Sequence, residues 1–409
     1  MSRSVAVLPV VLLARRSALL ALAAALAALP GCVGLMLELL APEHDNLVLY
    51  EGFSPDPKFA LEPPGPPETR SFSAADIAGT PGVVWLELVI GPKSNVAGSA
   101  SGIMVGYAGR PHVLSAGHIA KGPRFQAIYA YFSEGRERPE EVEIVVADEL
   151  LDVCLLRFKD PEFRYAAYPR LGRSQTLRKG DKVFPYGSPF GYDFMVREGV
   201  VSKLDVGLNY RGFRQPQVIF HDATLNPGDS GGPLFNDRGE VVGINVMGVH
   251  HGSHRSVTTM YAAIPIDDVK TVLRRVSRSG YVEHPRIGWK LYETAGLNPL
   301  NFRDKGVPKP RIDGLMVYEV DPGLPAESAG LKVGDILLSF DGIAPRTYHE
   351  VARRILFERS PGDEVEVRVY RETHWTEPEI KPDPAGYLAL TYIPRMRSEE
   401  LALRVKLAP

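Results

Sequence analysis

Residues 226–234 read NPGDSGGPL, a hydroxyl side chain set among glycines just ahead of the apolar segment 240–246 (EVVGINV). A serine so placed suits a nucleophile. Gly228 lets the backbone take a conformation closed to residues with a Cβ, so the amides of Gly228 and Ser230 can point into one small hole. A substrate carbonyl turning into an oxyanion beside Ser230 would meet two donors already aimed at it, while Gly231 and Gly232 leave room for the substrate backbone. Such a serine needs a base to take its proton, and the base needs a group to orient it. Two upstream residues fit those posts. His118 stands where an apolar strand stops and small residues take over. Asp152 lies inside LLDVCLLRF (150–158), apolar on both faces, where an ionised carboxylate is costly unless a donor such as a histidine N–H satisfies it. Each residue alone has a plainer reading: a glycine-rich turn, a hydrogen-bonded surface histidine, an aspartate bonded to backbone amides.

Rigid elements must hold such a set. From residue 81 the pattern is strand-like: 83–90 (VVWLELVI) is a buried or half-buried strand, 98–105 (GSASGIMV) a second, and 111–118 a third ending in a polar turn. Short strands punctuated by glycine continue to about residue 275, the rhythm of an all-β, barrel-like fold. Residues 269–277 read as a short helix closing that domain. Farther on, 314–342 reads as strand, turn, short helix and strand, 348–358 as an amphipathic helix with Val351 and Ile355 on one side, and 364–370 as an alternating strand. Residues 373–409 hold a strand-like piece at 387–393 and an amphipathic end, and are expected to be a C-terminal extension without an assigned role.

The 409 residues are enough for two or three domains. Hydrophobic (44%) and charged (23%) contents are those of a globular protein, and a net charge of −2 provides no basic footprint for nucleic acid. Arg3, Arg15 and Arg16 precede the apolar run 17–29, too short to span ~30 Å of hydrocarbon but suited to a signal-peptide core. The run ends in LPGC (29–32), which resembles the lipobox of bacterial lipoproteins, with Pro30 an unusual residue at its position. The resemblance implies a signal peptide over 1–31 and lipidation of Cys32. An ordinary cleaved signal, or an uncleaved anchor extended by 33–40, are the alternatives. An acylated Cys32 leaves Cys154 alone, so no intramolecular disulfide is expected in the exported chain. Val33, where an inner-membrane lipoprotein typically has Asp, favours the outer membrane. Residues 32–79, proline-rich between Pro55 and Pro67, read as a tether holding a catalytic body off the membrane, or as an arm packed on the first domain.

The order His118, Asp152, Ser230 matches the chymotrypsin-type order. The surrounding segments resemble the HtrA/Deg family of exported serine proteases: LSAGHI (114–119), LDVCLL (151–156), YGSPFG (186–191) with GVVS (199–202), NPGDSGGPL (226–234), GEVVGIN (239–245) and AIPI (263–266). The resemblance implies a mainly β, chymotrypsin-like double β-barrel over 80–280, with His118 and Asp152 on the first barrel and Ser230 on the second. Residues 286–372 closely resemble the PDZ domain that follows such protease domains. Arg286, Ile287, Gly288 and Trp289 match the family's carboxylate-binding loop, whose amides would hold a peptide C-terminus while the peptide adds as a strand beside 287–292. A capping β-domain without a ligand is the alternative.

Two residues depart from the family pattern. Position 229 is Asp where the family usually has Asn. Digestive trypsin-like enzymes have Asp there, paired with an amino terminus freed by cleavage, but no matching cleavage site lies near residue 80. Asp229 is therefore expected to be solvated or paired with a nearby Arg or Lys. Thr224 stands where trypsin-like proteases place the aspartate that binds Arg or Lys, so the specificity pocket should prefer small or medium apolar side chains. His250, His251 and His254 form an HHxxH with an internal glycine, poor geometry for a metal, and read instead as a solvated regulatory loop beside that pocket.

The implied function is a cofactor-independent serine endopeptidase of extracytoplasmic protein quality control. It would face the periplasm from a lipid anchor at Cys32 and act on unfolded or mislocalised polypeptides. It would be a homo-oligomer, trimers being the family's usual unit. A regulatory protease with one signalling substrate and a non-catalytic peptide-binding chaperone are the alternatives; the intact His118, Asp152 and Ser230 set argues against the second.

Overall fold

A computed structural model describes residues 70–408 except 91–94, 121–124, 136–137, 149, 211–212, 252–253, 280–283, 295–311 and 383–387, together with a short strand at 48–49. The signal segment, Cys32 and most of the expected tether lie outside the described residues. Strand β1 (Val48–Leu49) and helix α1 (Ala74–Ala78) precede the first barrel. That barrel is made of β2 (Val83–Ile90), β3 (Asn95–Tyr107), β4 (Arg110–Ala116), β5 (Ala127–Phe132), β6 (Glu140–Asp148) and β7 (Val153–Phe158). Its six antiparallel strands close in the order β2-β3-β4-β7-β6-β5.

The second barrel follows after the short strand β8 (Arg170–Leu171). It uses β9 (Lys182–Gly187), β11 (Gly199–Tyr210), β12 (Phe213–His221), β13 (Pro233–Asn236), β14 (Glu240–His251) and β15 (His254–Pro265), with β10 (Met195–Val196) paired to β9. Pairing of β9 with β13 closes it. Helix α2 (Ile266–Ser279) leads out of this barrel.

Strand alternation explains why the segments around His118 and Asp152 read as apolar on both faces. Along β7, Cys154 and Leu156 fill the first barrel with Leu86, Met104 and Val113. Val153 and Leu155 point the other way, into a cluster shared with Phe184, Phe235 and Ile244 of the second barrel. Strand β4 divides likewise: Val113 goes inside and Leu114 goes between the barrels. A strand with apolar partners on both sides loses the period-2 signal. The walls of the cleft that hold the site are such strands.

The third body is a five-stranded sheet in the order β16 (Trp289–Glu293), β17 (Leu315–Val320), β18 (Ile336–Phe340), β19 (Glu364–Pro382) and β20 (Leu388–Lys406), with helices α3 (Pro325–Ser328) and α4 (Tyr348–Glu358). Helix α4 starts at Thr347, whose side chain accepts the Glu350 amide, and turns Val351 and Ile355 into the sheet core with Phe340 and Val367. Its other side is seated on the double barrel and α2. Leu356 joins the cluster shared by the barrels, and Arg353 Nη1 reaches both carboxylate oxygens of Asp268 on α2, at 2.7 and 2.9 Å. The Arg275 guanidinium donates to the carbonyls of Leu356 and Arg359.

Three expectations need correcting. The tether over 32–79 is not free where it is described: β1 pairs with β6, Phe72 N–H bonds the Asp237 carbonyl, and Ile77 is fully buried against the barrels. An apolar residue on a capped turn outweighs the proline-rich character farther upstream. The C-terminal residues are not an appendage, because β20 completes the sheet, Val405 and Leu407 are in its core, and Ala408 bridges to Arg286. Pro378, Pro382 and Pro394 hid this pairing, since proline argues against a strand interior. The histidine segment is a β-hairpin in which His251 opposes His254; its tip at 252–253 lies outside the described residues. Among the described residues, no helix is long and apolar enough to cross a membrane.

Candidate active site

His118 sits in a single 3-10 turn (Gly117–Ala120) that ends β4, and Asp152 in the turn that opens β7. The two turns meet because Gly117 has no side chain: a Cβ there would stand 2.7 Å from the Val153 nitrogen and 3.0 Å from the Asp148 carbonyl. Asp152 has a left-handed backbone (φ 56°), a conformation costing on the order of 1 kcal/mol outside glycine. Asp148 holds the turn in that shape, its Oδ1 accepting the amides of Leu150 and Leu151 at 3.0 Å each. Asp148 Oδ2 accepts from His284 Nε2 at 2.9 Å. Burial alone would raise the Asp148 carboxyl, but His284 and the two amides outweigh it and hold it below the ordinary value.

Asp152 is fully buried and receives two donors from one residue. The His118 backbone amide reaches Oδ1 at 2.5 Å, and the ring Nδ1 lies 3.2 and 3.1 Å from the two oxygens. An ionised carboxylate only accepts, so Nδ1 carries the proton and the neutral imidazole keeps its lone pair on Nε2. That is the tautomer a general base needs. Cys154, two residues on, donates to the Ala116 carbonyl; burial and the Asp152 charge push its thiol well above the ordinary range, so it is an inert core residue.

Ser230 lies in the turn ahead of β13, across the cleft. Its Oγ donates to the Val246 carbonyl at 2.9 Å. The turn is tied from both sides. Gly231 N–H bonds the Asn245 carbonyl and Asn245 N–H the Gly232 carbonyl, while Ser101 of the first barrel takes the Ser230 carbonyl on its own amide at 2.8 Å. Gly231 (φ 88°) packs directly on Ser115 and Ala116, which places the neighbour of Ser230 beside a residue two positions from His118. The Ser101 hydroxyl donates to the Gly228 carbonyl at 2.7 Å and accepts the Ser188 amide at 3.0 Å. With that carbonyl bound to Ser101 and Gly228 at φ 104°, the amides of Gly228 and Ser230 donate to no backbone carbonyl among the described residues. Thr224 is exposed and brings no charge to the pocket position. Asp229 is fully buried, its Oδ2 2.7 Å from Arg197 Nη2, so the paired alternative describes it.

On the third body, Gly288 (φ 80°) presses on Leu324, where a Cβ would collide. The Arg286 amide is occupied by the Ala408 carbonyl, whereas those of Ile287 and Gly288 donate to no backbone carbonyl among the described residues. Trp289 begins β16, which lies at the sheet edge. Sequence reasoning missed Ser101, Asp148, Arg197 and His284. Ser101 left a trace in the run of small residues; the others carry no local signal.

A cleft between two six-stranded barrels, with a histidine–aspartate pair facing a serine turn, defines a trypsin-like serine peptidase body, and the attached sheet defines a PDZ body. Residues 100–244 match the family description "Trypsin-like peptidase domain" and residues 285–381 match "PDZ domain". The chain is 31% identical over 296 residues to the serine protease Do-like HtrA of Bacillus subtilis, covering 70% of this chain and 64% of that protein. It is 32% identical over 281 residues to a protein of Hahella chejuensis named as a DegP-like periplasmic serine endoprotease, covering 67% and 54%. In fold it is similar to the HtrA-type protease AlgW solved with a tripeptide (TM-score 0.60, 22% identity, 82% of this chain and 97% of that one). The chain thus carries a trypsin-like peptidase domain followed by a PDZ domain, and its relatives are of the HtrA/DegP type. It spans less than two thirds of the length of these curated relatives.

Proposed function

We propose that the protein is a serine endopeptidase working through an acyl-enzyme. The observation that carries this is the buried Asp152 gripping His118 by both its amide and its Nδ1, opposite a serine flanked by two available amides. Ser230 turns its one proton from the Val246 carbonyl to His118 Nε2 and attacks the scissile carbonyl. The oxyanion settles on the Gly228 and Ser230 amides, and His118 returns the proton to the leaving amine. Asp152 stays ionised and stabilises the imidazolium. Water then repeats the path in reverse roles. Uncharged Thr224 suits cleavage after small or medium apolar residues.

The PDZ body would take a polypeptide C-terminus on the Ile287 and Gly288 amides, the peptide adding to the edge strand β16. With residues 1–31 as an export signal and Cys32 acylated, the protein would face the periplasm as an envelope protease of unfolded polypeptides, assembled as a homo-oligomer. The periplasmic name of the Hahella relative supports that compartment. A regulatory protease with one substrate is the second reading. It is favoured by the clasp of α4 on α2 through Arg353 and Asp268, which gives a bound peptide a route into the catalytic body.

The test combines fluorophosphonate labelling with casein digestion, with and without a peptide bearing an apolar C-terminus. Wild type should label and digest casein. Ser230→Ala should do neither, losing about 10⁶ in turnover, yet still bind the peptide. Unchanged cleavage by that variant would sink the assignment, and digestion of a single folded protein but not of casein selects the regulatory reading.

A further inference from the structure

Asp229 stands between the two residues whose amides form the oxyanion hole, and it is fully buried. A buried carboxylate survives as an anion only with a partner. Oδ2 accepts the Asn226 amide at 2.8 Å and lies 2.7 Å from Arg197 Nη2. Oδ1 meets no donor among the described residues and rests against Gly187, where a Cβ would come within 2.7 Å. Arg197 is itself fixed: it sits at the junction of β10 and β11, its amide bonds the Pro185 carbonyl, and its side chain is largely enclosed. Among the described residues, His221 also faces Arg197; it is fully buried and held neutral by burial, with its pKa lowered to about 4. It leaves the Arg197 charge to Asp229.

We infer that Arg197 is a positioning residue of the oxyanion hole, an internal cation that neutralises Asp229 and thereby keeps the Gly228 and Ser230 amides aimed at the cleft without any proteolytic activation. Without the guanidinium, the carboxylate either takes a proton or swings toward water. Swinging out rotates the peptide planes on both sides of it: the one after Asp229 carries the Ser230 amide, and the one before it carries the Gly228 carbonyl, whose bond to the Ser101 hydroxyl holds Gly228 and hence its amide in place. The inference rests on the peptidase reading above. It assigns to one side chain the post that a freed amino terminus fills in digestive trypsin-like enzymes.

The experiment is a double-mutant cycle on the full chain, using a chromogenic peptide with an apolar residue before the scissile bond. Arg197→Ala should lower kcat about 10²-fold, the scale of a lost oxyanion donor, with KM changed less than about threefold, because uniform binding is untouched. Arg197→Lys should recover about tenfold of that loss. In the Asp229→Asn background, which removes the buried charge and keeps an acceptor for the Asn226 amide, Arg197→Ala should change kcat less than about threefold. If Arg197→Ala does not fold, Asp229→Asn alone and combined with Arg197→Ala still decide the matter, because the inference requires both to fold and to turn over alike. An inactive double variant overturns the inference, and so does wild-type kcat in Arg197→Ala. A wild-type protein that neither labels with fluorophosphonate nor cleaves peptide overturns the peptidase reading itself, which this cycle then does not rescue.

Discussion

His284 leaves the protease body on the way to the PDZ domain, yet its ring reaches back to the turn that carries Asp152. Replacing it with Ala strands Asp148, which is 1% exposed, as a buried anion with two amides on one oxygen and nothing on the other. Breaking a buried pair by deleting one partner costs about 3–5 kcal/mol. Protonation sets a ceiling on that cost. Each pH unit between 7 and the ordinary 3.8 is worth about 1.4 kcal/mol, so neutralising Asp148 at pH 7 costs about 4 kcal/mol. The sign follows from the depressed native carboxyl: its stabilisation is present above the ordinary carboxylate range and is lost as pH falls through the lower folded value. In His284→Ala that depression is gone. The variant should therefore be about 3–4 kcal/mol less stable than wild type at pH 7, with the deficit shrinking by up to about 1.4 kcal/mol per unit toward pH 5. Urea unfolding of both proteins across that range measures it. Peptide kcat should fall too, since the left-handed Asp152 turn depends on the Asp148 acceptor. A deficit under about 1 kcal/mol at pH 7, or one that does not narrow on acidification, refutes the reasoning.

Two further outcomes are expected. Ser101→Ala leaves the Gly228 carbonyl and the Ser188 amide without their shared partner, at about 1–3 kcal/mol for each buried group; it should lower the urea midpoint and reduce kcat more than it alters KM, and equal kcat in variant and wild type would remove Ser101 from the positioning of the hole. Burial raises the Asp268 carboxyl to about 6 even though Arg353 acts to lower it, so the folded chain gains stability from this group as pH falls from about 6 toward its ordinary value; Asp268→Asn should therefore gain on wild type by about 2 kcal/mol between pH 4.5 and pH 7.5, and a difference independent of pH would contradict this.

The serine turn, the histidine and the buried acid were legible because each is locally odd: a hydroxyl among glycines, a polar residue at the end of an apolar strand, a carboxylate in a run with no polar face. An all-β, barrel-like rhythm was legible from the short strands punctuated by glycine, while the double barrel came only from the resemblance of the segments around these residues to the HtrA/Deg family. The supports were not. His284 and Asp148 are 136 residues apart, Arg197 and Asp229 lie on different segments of the second barrel, and Ser101 acts across the cleft from within a strand that reads only as small. Such pairings arise when barrels close, and no local periodicity encodes them. Position 229 was readable as an anomaly, solvated or paired, but its partner Arg197 was not. The long ribbon of β19 and β20 was hidden by its own prolines.

The two halves of the site are therefore held in different ways, and regulation through the PDZ body, as proposed, would reach only one of them directly. The nucleophile turn is locked from within the catalytic body, by Arg197 on Asp229 and by Ser101 on Gly228. The acid turn is held by Asp148, and Asp148 is held by His284 of the interdomain connection. The PDZ helix α4 is fastened a short way off, through Arg353 on Asp268 and Arg275 on the carbonyls of Leu356 and Arg359. Helix α4 also packs near β16, so a peptide added beside β16, as proposed, would act through that helix on α2 and on the connection. Typical coupling energies are about 1–3 kcal/mol, and one ion pair with its helix contact is of that size. Such a coupling would act on the Asp148–Asp152 turn, and through it on the orientation of His118, and would leave the oxyanion donors in place. Peptide activation should consequently appear as a rise in kcat with no change in the affinity of an oxyanion-mimicking inhibitor. An activating peptide that tightens such an inhibitor in step with kcat would place the coupling at Gly228 instead.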